Sequence, residues 1–90
     1  MQELEKKLNY TFRDPALLSE ALSHSSYANE HRAAGLRSNE RLEFLGDSVL
    51  GFVTADYLYR LYPDKPEGDL TRIRADLVCE RNLAKCAGTI

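Results

Sequence analysis

Three carboxylates, Glu40, Glu43 and Asp47, are spaced i, i+3 and i+7 in a segment whose apolar residues recur at helical intervals. At about 100° per residue they project at about 0°, about −60° and about −20°, on one narrow stripe of a helix. Asp56 projects at about 160° and lies off the stripe. Like charges at i,i+4, as Glu43 and Asp47 are, destabilise a helix by about 0.2–0.5 kcal/mol per pair. A chain that keeps them together therefore calls for a cation there. Hard divalent ions suit such a stripe. Magnesium prefers carboxylate oxygens and needs few protein ligands because it retains waters, and manganese can replace it. Gly46 and Gly51 each cost about 1 kcal/mol against alanine inside a helix. Gly51 projects at about 20°, one turn beyond Asp47, where a missing side chain leaves room for a ligand or another helix. Spacing alone leaves a second reading open, a solvated acidic face with glycines serving helix packing.

The element that must carry these residues is the segment Ser38–Leu61. Ser38 or Asn39 can cap its start, and Glu40 suits the first turn. Leu42, Phe44, Leu45, Val49, Leu50, Phe52, Val53, Ala55, Leu58 and Leu61 make it apolar over much of its circumference. Such a helix is central to a core or is buried on a second side by a partner, and a homodimer, or a swapped higher assembly, built around it is expected. Tyr62-Pro63-Asp64 ends it, because the residue before proline disfavours helical geometry. Upstream, a short helix is expected around Leu4 and Leu8. A second begins with Asp14 as N-cap and Pro15 at the first helical position, and runs to about Ser23. Residues 24–37 read as an irregular connection. Downstream, Asp64–Glu67 resembles a capping arrangement with Pro66 in the first turn. A helical region then runs from about Glu67 through Leu83 and Ala84, broken near Cys79. No alternating strand pattern appears, so the fold class is all-α.

Composition sets the bounds. Ninety residues make one small domain, marginal alone, and 43% apolar with 29% charged residues reads as globular. No segment approaches the roughly 18 apolar residues of a membrane span, and the charged N-terminal stretch lacks a signal-peptide core, so no membrane association and a cytoplasmic location are expected. Cys79 and Cys86 form neither a CxxC pair nor a zinc framework and read as buried or half-buried free thiols. The net charge of −2 argues mildly against gripping nucleic acid by basic side chains. Bound divalent ions weaken that objection. Arg32, Arg37, Arg72 and Arg74 are candidates for phosphate contact.

The run from Asn39 to Leu50, Asn-Glu-Arg-Leu-Glu-Phe-Leu-Gly-Asp-Ser-Val-Leu, closely resembles the signature of the bacterial ribonuclease III family. Ala21–Ala28 upstream, and Pro66–Thr71, Leu77-Val78 and Leu83-Ala84 downstream, are similar as well. The resemblance implies a helical, dimeric domain that hydrolyses double-stranded RNA with magnesium, leaving 5′-phosphate and 3′-hydroxyl ends. Under it, Glu43 and Asp47 match metal-ligand carboxylates. Glu40 matches an acidic residue beside the catalytic valley, implicated in substrate processing or local ion pairing. Phe44 matches an aromatic that plugs into a socket on the partner subunit, and Glu67 an acidic residue that reaches the partner's site. Arg72 and Arg74 are candidates for an RNA-binding or partner-site role on residue type alone, and His24 is expected to be structural.

A complete catalytic domain of that family brings a second pair of carboxylates from a later helix, and no acidic residue follows Glu80 here. Residues 1–90 are accordingly expected to form part of a catalytic domain, cut within it and without a double-stranded-RNA-binding domain. The competing expectation is a non-catalytic dimerisation or RNA-structural module on the same fold. Retained Glu43 and Asp47 favour the nuclease for the parent protein, since a purely structural descendant has no need of a repulsive stripe, whereas the missing downstream carboxylates favour the non-catalytic module for this polypeptide taken alone.

Overall fold

The computed structural model describes residues 2–90, and among them it is helical without strands. The elements are α1 (Gln2–Leu8), α2 (Pro15–Ala21), α3 (Ser25–Glu30), a 3₁₀ turn (Arg32–Ala34), α4 (Glu40–Leu61), α5 (Glu67–Leu77) and α6 (Glu80–Ala87). The all-α expectation holds. No helix among the described residues is long and apolar enough to cross a membrane.

The chain divides into two compact units, the first ending at Gly46 and the second beginning at Asp47. In the first, α1 ends on Asn9, which adopts a left-handed φ of 54°. The Asn9 amide donates to the Lys6 carbonyl and the Tyr10 amide to that of Glu5, a Schellman closure that satisfies two helix-end carbonyls. The Glu5 carboxylate then accepts from the Phe12 amide at 2.7 Å, fixing the chain as it turns toward α2. Asp14 caps α2 by accepting from the Ala16 amide at 3.0 Å, with Pro15 in the first turn. The helix stops at Ala21, two residues before the expected end. Leu18 and Ala28 are buried here, as is Ser23, whose hydroxyl donates to the Ser19 carbonyl.

The connection between α2 and α4 is not irregular throughout. His24 is the N-cap of α3, its Nδ1 accepting from the Ser26 amide at 3.2 Å. Tyr27 and His31 stack with ring centroids 4.0 Å apart at the other end. No glycine or proline interrupts residues 24–34, so once the histidine ring satisfies the first turn a helix can form. Gly35, at a φ of 75°, closes the 3₁₀ turn.

In the second unit, α4 stops before Tyr62-Pro63 as expected. α5 begins differently from the sequence expectation: Pro66 is the N-cap, with extended backbone, rather than a first-turn residue, and no side chain caps the helix. Its carbonyl accepts from the Asp69 and Leu70 amides, which supplies the turn without a capping box. The break near Cys79 is present: Cys79 is extended and is the N-cap of α6, and the Asn82 side-chain amide returns to the Asp76 carbonyl at 2.9 Å. α5 and α6 pack on each other. Both thiols are exposed rather than buried or half-buried; Cys79 lies in the link between α5 and α6, and Cys86 is in the last turn of α6. Leu58 is the buried residue of α4, 2% exposed.

Candidate functional site

Glu40, Glu43 and Asp47 all lie on α4 and all are exposed. The helix spans Glu40 to Leu61, with Glu40 and Glu43 in the part that belongs to the first unit and Asp47 at the start of the second; their common stripe is the inference from helical spacing. Its start is held from outside the helix. The Asn39 backbone amide donates to the Ser23 carbonyl at 2.8 Å, and its side-chain amide donates to the Ala21 carbonyl at 3.0 Å. The Asn39 carbonyl in turn accepts from the Glu43 amide at 2.8 Å, the first rung of the helical ladder. The alternative cap, Ser38, contributes only a 3.5 Å approach of its hydroxyl to the Glu40 amide, at the limit of a hydrogen bond.

Two other carboxylates form ion pairs, Asp56 with Arg60 at 3.1 Å and Asp69 with Arg72 at 3.6 Å. Among the described residues Glu40, Glu43 and Asp47 have no such partner, and their oxygens face water. That donor set fits a hard divalent ion that keeps several waters. It does not amount to a closed cage. Among the described residues no group of three or more histidine, cysteine or acidic side chains is gathered where a metal could be held.

Phe44 leaves the same helix with 78% of its surface exposed. Beside it a groove of about 860 Å³ is lined by Glu20, Arg37, Glu40, Arg41, Phe44 and Leu45. Sequence reasoning did not place Glu20 or Arg41 there, because the groove depends on how α2 and the residues before α4 approach. Glu67 is the first residue of α5, on a different element from the stripe, and is exposed. Arg74 is half-buried in α5, and Arg72 is exposed but tied to Asp69. Arg32 and Arg37 are exposed. His24 has its Nδ1 committed to Ser26, a structural role.

The model of the Ribonuclease-III-like family matches residues 14–90. A Ribonuclease 3 of Symbiobacterium thermophilum is 65% identical over 80 residues, covering 89% of this chain and 33% of that protein. One of Caldanaerobacter subterraneus is 55% identical over 87 residues, covering 97% and 38%. The chain thus spans about 33–39% of the length of curated relatives such as these. The nuclease domain of ribonuclease III from Campylobacter jejuni, solved in a study of structural flexibility in a region involved in dimer formation, superposes with a TM-score of 0.87. It is 44% identical, and the match covers 97% of this chain and 57% of that one. A helical fold shared with a solved nuclease domain, and a family match running through the whole acidic helix, establish that this chain belongs to the ribonuclease III family.

Proposed function

We propose that the chain carries part of the metal-binding face of an endoribonuclease domain that hydrolyses phosphodiester bonds of double-stranded RNA. The observation that supports this best is the pair Glu43 and Asp47, one turn apart on α4, exposed and without an ion pair among the described residues. These two would hold magnesium, with manganese as a substitute. When bound, such an ion supplies a water-derived nucleophile and stabilises charge on the phosphate, giving 5′-phosphate and 3′-hydroxyl ends. Glu40 extends the acidic line and serves substrate handling or local ion pairing rather than direct metal ligation.

RNA duplexes are read by shape, 2′-hydroxyls and backbone, because the A-form major groove is too narrow for side chains. Arg74 and Arg72 are the proposed phosphate contacts, and Arg72 would exchange Asp69 for phosphate on binding. A chain with net charge −2 gains from the bound cations the positive charge that its side chains do not supply in excess. The working form is a homodimer. Phe44, 78% exposed, fills a pocket on the partner, and Glu67 reaches the partner's site. Phe52 and Val53, 71% and 60% exposed, add apolar area that water disfavours. The location is cytoplasmic.

One helix face approaches a metal site from one side only, so these 90 residues do not by themselves cleave RNA at a useful rate. The test is a polypeptide extended to the full length of the nuclease domain, incubated with a long RNA duplex and magnesium. Cleavage by the extended protein that is lost in Asp47→Asn is the expected result. Undiminished cleavage by that variant overturns the assignment.

A further inference from the structure

Asn39 is bonded on three sides. Its side-chain amide donates to the Ala21 carbonyl across 18 residues of sequence, and its backbone amide donates to the Ser23 carbonyl. Its own carbonyl accepts from the Glu43 amide. Ala21 is the last residue of α2 and Ser23 lies just beyond it. Helix C-termini leave carbonyls without intrahelical donors, so the Ala21 carbonyl needs a partner, and the Ser23 carbonyl belongs to a buried residue just past the helix. Asn39 supplies two donors to that end with one residue and, through its carbonyl, begins the ladder of α4.

Ordinary N-capping asparagines turn their side-chain oxygen onto their own helix. Asn39 instead directs its side-chain NH₂ to the neighbouring one, which stabilises the placement of α4 more than its nucleation. Buried Ser23 makes the anchor firm: its residue is 5% exposed and its hydroxyl is bonded to Ser19. The consequence falls on Glu43, whose backbone is bonded directly to the anchored residue.

We infer that Asn39 is a positioning residue for the Glu43 metal ligand, fixing it in place by tying the first turn of α4 to the end of α2. This rests on the reading of Glu43 and Asp47 as metal ligands. Without the side-chain bond the first turn of α4 keeps one tether, through the Asn39 backbone amide, and gains freedom to pivot about it. Glu43 then samples positions away from the ion, and misplacement of about 1 Å is enough to matter at such a site.

The experiment uses the intact chain and manganese as the probe, followed by electron paramagnetic resonance, at a temperature where circular dichroism shows full folding. In Asn39→Ala the manganese Kd rises about three- to tenfold. That is less than the roughly 10–100-fold seen when a group bonded directly to a ligand side chain is removed. Hydrogen exchange at the Glu43 amide accelerates in parallel, whereas amides of α5 do not change. A change in stability alone, with manganese affinity and Glu43 exchange both as in wild type, overturns the inference. If Asn39→Ala does not fold, Asn39→Asp keeps the shape and removes the NH₂ donor. Its added charge would by itself tighten a cation, so weaker binding there supports the positioning role and tighter binding overturns it. If wild type binds no manganese, or Glu43→Gln binds it unchanged, the metal assignment and the inference resting on it both fall. Normal loss in Glu43→Gln with no effect of Asn39→Ala removes the inference alone.

Discussion

The Glu43 amide donates to the Asn39 carbonyl at 2.8 Å, so the first proposed metal ligand also supplies the first amide donor of the α4 hydrogen-bond ladder. Its side chain projects from a turn whose backbone is already fixed, one turn ahead of Asp47. Calorimetry with magnesium or manganese should record weak binding that falls by about tenfold or more in both Glu43→Gln and Asp47→Asn. Glu40→Gln should change affinity less, because its part is electrostatic. Binding that survives both of the first two substitutions places the ion elsewhere.

Phe44 is expected to dominate association. A ring that is 78% exposed in one chain and filled into a pocket of another gains most of its burial on assembly. Phe44→Ala should weaken dimerisation by about 2–4 kcal/mol, in the range of aromatic truncations and interface hot spots. That is about 30-fold or more in Kd, well within reach of sedimentation equilibrium. A wild-type chain that sediments as a compact monomer at high micromolar concentration removes the dimer proposal.

Side by side with the extended protein, this 90-residue chain should leave a long RNA duplex essentially intact. Two-ion hydrolysis needs the ions held about 3.5–4 Å apart from both sides. Gel analysis of end-labelled duplex resolves the difference. Comparable cleavage by both proteins would mean that the Glu43–Asp47 face suffices.

Features governed by local chemistry were legible in the sequence. Asp14-Pro15 announces α2 because cap and first turn are adjacent residues. Tyr62-Pro63 ends α4, and the break at Cys79 follows from the stop of the apolar pattern. That Glu40, Glu43 and Asp47 share one helix was legible because the apolar residues around them recur at helical spacing. Features set by approach through space were not. α3 has little apolar periodicity and is started by the His24 ring, an uncommon cap. Asn39 could be read as a cap for its own helix, but its link to Ala21 depends on where α2 ends. The exposure of both cysteines likewise depends on where α5 stops and α6 begins. Asn9 carried a weak signal, since asparagine tolerates the left-handed conformation that closes α1.

A Cβ added at Gly46 or at Gly51 would meet nothing within 4 Å in this chain. Both glycines sit inside α4, where alanine would be favoured by about 1 kcal/mol each. The helix thus carries two defects for which its own chain offers no steric reason, and they can be used as reporters. In a dissociated chain, Gly46→Ala and Gly51→Ala should raise the melting temperature by about 4–8 °C per kcal/mol gained. At concentrations where copies assemble, or in the extended protein, the gain should shrink or reverse at whichever glycine another surface touches. The sign of the change at each position then marks, residue by residue, how much of α4 is open ground and how much is reserved for something that arrives later.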